Sequence, residues 1–266
     1  MTDYTSDDFS MTQAVISVDN LTMSYGDVII QSHLNFRVER GDIFMVMGPS
    51  GCGKSTLLMH MIGLLKPTEG EVYYGGDALF ASGLSDSDRL VRRIGVLFQS
   101  GALLSSMTLA ENISLPLAEF TDFSPRQIRQ IASYKLSLVG LAGFEDYYPA
   151  EISGGMQKRA GLARAMALDP EILYFDEPSA GLDPISSKLL DDLIQSLRDN
   201  LNTTIIVVTH ELSSIFSIGT NSIFLDTDSH TAIAMGPPRE LLKSCEDVRV
   251  RRFLTRDGRA GEAGHE

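Results

Sequence analysis

Eight residues, GPSGCGKS (48–55), follow an apolar run and open a stretch of helical character. The pattern G-x-x-x-x-G-K-[ST] between strand and helix predicts a phosphate-binding loop. Gly48, Pro49, Ser50, Gly51, Cys52 and Gly53 would wrap a β-phosphate in the loop's backbone N–H groups. Lys54 would reach the β and γ oxygens. Ser55, with Thr56 behind it, would offer a hydroxyl to Mg²⁺. A second run, ILYFDE (172–177), is an apolar strand ending in two carboxylates. Adjacent strand residues point opposite ways, so the pair can divide two tasks. Asp176 is expected to hold Mg²⁺ through water. Glu177 is expected to polarise an attacking water as general base. Alone, an acidic strand end is commonly a solvated edge; beside a phosphate loop it is the partner that loop needs.

Three single residues are weaker signals. His210 closes TTIIVVT (203–209), and Gln99 closes RRIGVLF (92–98). A parallel sheet would deliver both to its carboxyl edge, where ligands bind. There His210 would hydrogen-bond the γ-phosphate and hold the water, while Gln99 would sit beside Mg²⁺ and sense that phosphate. A lone histidine at a strand end is otherwise more often structural. Tyr25, in MSYGD (23–27), reads either as a base-stacking ring or as an ordinary hairpin tyrosine.

One stretch lacks half its chemistry. In ISGGMQKRAGLARAMALDP (152–170) a Ser-Gly-Gly turn enters a helix. Free N–H groups, a favourable dipole and glycines make that an anion site in outline. No lysine is placed to hold the phosphate. The chain therefore has one complete phosphate cradle and one incomplete.

The elements that must position these groups alternate. IFMVM (43–47), RRIGVLF, EILYFD (171–176), TTIIVVT and NSIFLD (221–226) read as strands, the most apolar of them buried on both faces. AVISV (14–18), LNFRV (34–38) and EVYYGGD (71–77) add a β-rich start. Helices are expected after the glycine loop and from Ile185 to Leu201. Residues 100 to about 149 read as a helical insert, broken at Pro116 and Pro125. The fold class is α/β with a mainly parallel sheet. A run from Pro237 looks helical and frays after Arg256, and residues 1–13 read as a floppy lead-in. Met45, Met47, Met59 and Met61 fall at core spacing rather than forming a soft-metal site.

Bulk properties narrow the partners. The chain has 266 residues and a net charge of −13, so a nucleic-acid-coating surface is not expected. No apolar run approaches the roughly 20 residues that span a bilayer. The start is acidic and unlike a secretory signal. Two cysteines, far apart, fit a reducing cytoplasm.

Taken together, Tyr25, GPSGCGKS, Gln99, ISGGM, ILYFDE, SAGLD (179–183) and His210 resemble the ATP-binding cassette (ABC) ATPases in order and context. The resemblance covers about residues 14–245. It implies a P-loop, RecA-like core with an antiparallel β-subdomain and a helical subdomain of about 100–168, followed by a tail, 246–266. ATP and Mg²⁺ are the implied cofactors, and Gln99, Ser55 and Asp176 the implied metal side. Cassettes of that family pair head to tail. Ser153, Gly154 and Gly155 would then cap the γ-phosphate held by Lys54 of a second copy, and Asp183 would lie at the seam. The family's usual glutamine after SGG is Met156 here, which leaves the backbone donors in place.

The segment FQSGALLSSMTLAENISLPL (98–117), EISGGMQKRAGLARAMALDP and VRRFL (250–254) are similar to the ATPases of Mla-type phospholipid transporters. That similarity implies an integral-membrane permease docked through the segment after Gln99. It implies an MCE-type lipid-binding protein in the same complex, a small STAS-domain protein as a further partner, and a peripheral location on the cytoplasmic face of the inner membrane. The Arg249, Arg251, Arg252, Arg256 and Arg259 run reads as a clasp on a neighbour, a contact with anionic headgroups, or a solvated tail. Other readings are an ATPase serving another permease, such as a polar amino-acid importer, a non-transport ABC protein on ribosomes or DNA, and a nucleotide switch without turnover.

Overall fold

The computed structural model describes residues 14–83 and 88–256. The lead-in and Arg259 lie outside the described residues. Six strands form the central sheet: β3 (Ile43–Met47), β6 (Ile94–Leu97), β7 (Ile172–Asp176), β8 (Thr204–Val208), β9 (Asn221–Leu225) and β10 (Ala232–Met235). Their spatial order is β10-β9-β3-β8-β7-β6. The pairs β9-β3, β3-β8, β8-β7 and β7-β6 are parallel, and β10 pairs antiparallel at the edge.

Alternation along these buried strands divides the interior in two. Ile43, Met45, Met47, Leu173, Phe175, Ile205 and Val207 face one apolar cluster. Phe44, Val46, Ile172, Tyr174, Ile206 and Val208 face the other. The run of apolar residues without polar interruption thus reflects a sheet covered on both sides.

The second cluster lies under α1 (Lys54–Met61) and a four-stranded antiparallel sheet. That sheet comprises β1 (Ala14–Tyr25), β2 (Val28–Glu39), β4 (Glu69–Tyr74) and β5 (Asp77–Ala78). Its first two strands run well past the short β runs legible in the sequence. A buried hydroxyl pair fastens the sheet to the core. Tyr74 donates to Met61 O at 2.7 Å, and its oxygen lies 2.5 Å from the Tyr174 hydroxyl.

The first cluster is covered by helices: α3 (Leu109–Phe120), α4 (Pro125–Leu138), α5 (Gly154–Ala165), α6 (Pro184–Leu201), α7 (Leu212–Ile218), α8 (Pro238–Ser244) and α9 (Val248–Thr255). Capping boxes start α3 at Thr108 and α4 at Ser124. Pro125 begins α4, as expected of proline at a first helical position. Pro116 does not break its helix: α3 runs through it. Its ring forgoes one N–H bond and lines a surface groove. Arg92 and Arg93 also depart from expectation. They end a short helix, α2 (Asp88–Arg93), and the strand starts only at Ile94.

The chain's last described helix is docked, and the fraying expected after Arg256 lies outside the described residues. Val250 and Leu254 of α9 are buried in the first cluster, and Phe253 meets Phe224 edge-on at 5.1 Å. Arg249 donates to Asp226 at 2.7 Å and to Asp247 at 2.7 Å, and Arg256 pairs with Glu211. Two arginines of the basic run are therefore engaged within their own chain. Asp247 caps α9 by accepting from the Arg249 N–H at 2.8 Å. The Arg249 side chain beside it lowers the Asp247 carboxyl to about 2.

Asp247→Ala should lower stability by about 1 kcal/mol, the usual worth of a helix cap. The parent's advantage should persist above the ordinary carboxylate range and vanish as pH falls towards the depressed folded value. Urea unfolding of both proteins between neutral and acidic pH checks this; a pH-independent difference would rule out the ionised cap.

Candidate functional site

The phosphate loop spans the gap between β3 and α1, and its glycines are there for room and handedness. Gly48 has φ +146°, and a Cβ on it would meet Leu225 O at 2.4 Å and Cys52 Sγ at 2.6 Å. Gly53 has φ +94° and lies against Ile30 of β2, where a Cβ would come within 2.5 Å. Side chains are excluded at both, so backbone N–H groups line the loop. Gln31 stitches the wall behind it, donating to Cys52 O at 2.8 Å and to Asp226 O at 2.9 Å. Burial raises the Cys52 thiol, against the pull of Lys54.

Lys54 is buried and folded back on its own loop. Its Nζ donates to Gly48 O at 3.0 Å and Pro49 O at 2.9 Å. Three donors on a flexible stem can exchange those carbonyls for phosphate oxygens. Ser55 Oγ donates to Asp176 Oδ1 at 2.9 Å. Burial raises the Asp176 carboxyl; the Ser55 hydrogen bond opposes this, the Glu177 charge adds to it, and Lys54 and Lys158 oppose it. A hydroxyl paired with a carboxylate is a hard oxygen donor set, which suits Mg²⁺. Among the described residues no group of three His, Cys, Asp or Glu could hold a metal alone.

Glu177 stands one residue beyond β7 in the left-handed region, at φ +47°. Its N–H still donates to Val208 O at 2.8 Å, extending the pairing with β8. Its side chain is largely buried at 14% exposure. Oε1 accepts from His210 Nδ1 at 2.9 Å, while Oε2 is buried with no hydrogen-bond partner. A buried carboxylate oxygen without a partner is costly unless a ligand or water uses it. The structure thus places His210 on the Glu177 carboxylate, where the sequence suggests a hydrogen bond to the γ-phosphate.

Gln99 follows β6, and its exposed side chain shares an open cleft of about 550 Å³ with Asp176 and Gly181. Tyr25 sits at the tip of the β1-β2 hairpin, 54% exposed, on the hairpin that packs against Gly53. The cradle at 48–56, Asp176, Glu177, His210 and Gln99 therefore gather at the carboxyl edge of one sheet.

Ser153, Gly154 and Gly155 are not part of that gathering. Ser153 caps α5, its Oγ accepting from Met156 N at 3.3 Å, and Ser153 and Gly154 are exposed. Their neighbour is the Asp183 turn: a Cβ on Gly155 would meet Ser186 Oγ at 3.3 Å. Asp183 caps α6 through Ile185 N and Ser186 N, both at 3.0 Å. The Ser186 hydroxyl holds its carboxyl below the usual range. Met156 packs against the first core cluster, and Gln157 bonds the Pro149 carbonyl at 2.9 Å. The departure at 156 thus leaves the exposed turn unchanged.

Lys158, one turn into α5, was not singled out by sequence reasoning. It is 7% exposed and donates to Gln99 O. Burial lowers its ammonium pKa, against the opposing pull of Asp176 and Glu177. In sequence it resembles any lysine on a solvated helix.

The chain is similar to several known proteins. A family model described as ABC transporter matches residues 31–180. The intermembrane phospholipid transport system ATP-binding protein MlaF of Haemophilus influenzae is 42% identical over 244 residues, 92% of this chain and 91% of that protein. A probable ribonucleotide transport ATP-binding protein, mkl, of Mycobacterium tuberculosis is 40% identical over 90% of this chain and 66% of its own length. Among solved structures, a dimeric post-hydrolysis ATP-binding cassette bound to ADP and Pi superposes with a TM-score of 0.73 at 32% identity. That match covers 83% of this chain and 97% of the cassette.

Gly48→Ala should weaken ATP binding by at least about tenfold, because the added methyl has only Leu225 O and Cys52 Sγ to displace. Calorimetric titration with ATP checks this; unchanged affinity would mean the loop is not the cradle.

Proposed function

The chain belongs to the ABC transporter family of ATPases, and on that premise we propose that it powers phospholipid transport between membranes. The observation that carries the substrate is two-way coverage. The MlaF match at 42% identity spans nine-tenths of both chains, whereas the mycobacterial relative extends well beyond this one. A ribonucleotide or a polar amino acid is the competing cargo.

ATP is bound and hydrolysed. In our reading Tyr25 stacks on the adenine, the 48–56 loop wraps the phosphates, and Lys54 leaves its carbonyls for the β and γ oxygens. Ser55, Asp176 and Gln99 would hold Mg²⁺, which would supply charge neutralisation at the phosphates. Glu177 Oε2 takes the proton of the attacking water, and His210 holds the other oxygen so that Oε2 stays aimed.

Ser153 and Gly154 are exposed, which supports the turn's serving the nucleotide of a second copy paired head to tail. Binding energy then closes the dimer and hydrolysis reopens it. Among the described residues no helix is long and apolar enough to cross a membrane. In this reading the work passes to a separate permease at the cytoplasmic face of the inner membrane, with an MCE-type lipid carrier and a STAS-domain subunit as further members. A surface groove of about 450 Å³ supports the docking. Leu64, Val91, Phe98, Leu115 and Pro116 line it, between the core and the helical subdomain. This groove includes both ends of the 98–117 segment.

Glu177→Gln should lower the ATPase kcat by about 10²-fold or more while ATP still binds. Normal turnover by this variant would remove the general-base assignment. The cargo is tested by purifying the tagged chain from native membranes in mild detergent and identifying proteins and lipids by mass spectrometry. A permease, an MCE-type protein and phospholipid are expected. A different permease with no phospholipid would retain the ATPase and discard the lipid reading.

A further inference from the structure

Three contacts repeat along one face of α5. At positions 158, 161 and 164, spaced to share that face, the helix touches the loop that carries Gln99. Lys158 Nζ donates to Gln99 O. A Cβ on Gly161 would come within 2.8 Å of Gly101 O, so the two backbones touch there. Arg164 Nη1 donates to Ala102 O at 2.6 Å. Of the three, Lys158 is the least expected. A buried ammonium is costlier than a methionine of similar length, and packing alone gives no reason for it. Its hydrogen bond goes to a backbone carbonyl rather than to a carboxylate, and among the described residues the Gln99 side chain makes no hydrogen bond. Lys158 therefore fixes the backbone of Gln99 and leaves its amide free for the ligand.

We propose that Lys158 is a positioning residue that fastens the helix bearing the Ser153–Gly155 turn to the Gln99 loop, so that turn and loop move as one body. The consequence is specific to a shared site. Gln99 attends the nucleotide of its own chain, and the turn attends the nucleotide of the other. A rigid strut between them makes the arrival of γ-phosphate in one site alter the cap presented to the second. This rests on the site assignments above. It adds that the link is a donated hydrogen bond from one buried lysine, not the packing of the subdomain as a whole.

The test compares Lys158→Met, which keeps length and loses the donor, with Lys158→Gln, which keeps an N–H donor. Steady-state ATPase, ATP affinity and thermal unfolding are measured on the full chain, with Glu177→Gln as control. Lys158→Met is expected to lower kcat by at least about tenfold while KM stays unchanged and the unfolding midpoint does not fall. The loss is then of a transition-state arrangement rather than of ground-state binding or folding. Lys158→Gln is expected to stay within about threefold of the parent. A parental kcat in Lys158→Met overturns the proposal, as does an equal loss in both variants, which would make charge or bulk the cause. If Glu177→Gln also turns over normally, the site assignment has failed instead, and the two failures are told apart.

Discussion

Parallel pairing of β3, β7 and β8 brings the ends of three buried strands side by side. Val46 is in register with Val208, and Val208 with Asp176. One residue or two beyond those positions the backbone leaves the sheet, and there the sequence changes from Val, Ile and Phe to Gly, Glu and His. The site is the edge at which burial stops. Its order follows from that register: a loop of N–H groups from the first strand, two carboxylates from the second, and an imidazole from the third. A shift of one residue in any pair would turn every side chain of that strand to the opposite face. It would exchange the two apolar clusters and separate the groups at the edge.

The helical layer obeys a different constraint. It rests on one face of the sheet through Leu109, Ile113, Leu136 and Leu162, and it presents the Ser-Gly-Gly turn outward. An anion cradle facing solvent without a cation is half a device. Completing it requires a second surface with a lysine, and the chain has such a lysine at 54 on its own sheet edge. The alternation of complete and incomplete cradles thus becomes a statement about assembly. In the proposed head-to-tail pairing each copy is finished by another.

Much of this was legible beforehand because the signals were long or chemically rare. The five-residue apolar strands announced themselves by continuity, and the phosphate loop by its glycine spacing between a strand and a helix. What escaped notice was short or ambiguous. The six residues of α2 and the four of β10 are too few to show a period, and Arg92 and Arg93 look alike in a strand or a helix end. Pro116 reads as a break because proline usually is one. Neighbouring helices and a groove-facing ring let α3 continue. Docking of α9 was hidden because a run of arginines reads as solvent-facing, while Val250 and Leu254, four residues apart, carry the burial. Lys158 was hidden for the opposite reason: only the fold turns that side of α5 inward.

Glu177 holds a backbone conformation that glycine or asparagine would hold with less strain. A non-glycine residue there gives up about 1–3 kcal/mol. Its inward carboxylate oxygen, without a hydrogen-bond partner, adds to that penalty. With Glu177 as the proposed base, folding and turnover make opposite demands on one position. A library sorted only for thermal resistance would enrich replacements at 177 and deliver well-folded, nucleotide-holding, inert proteins. The hottest-melting member of such a collection would be a poor place to look for a working motor.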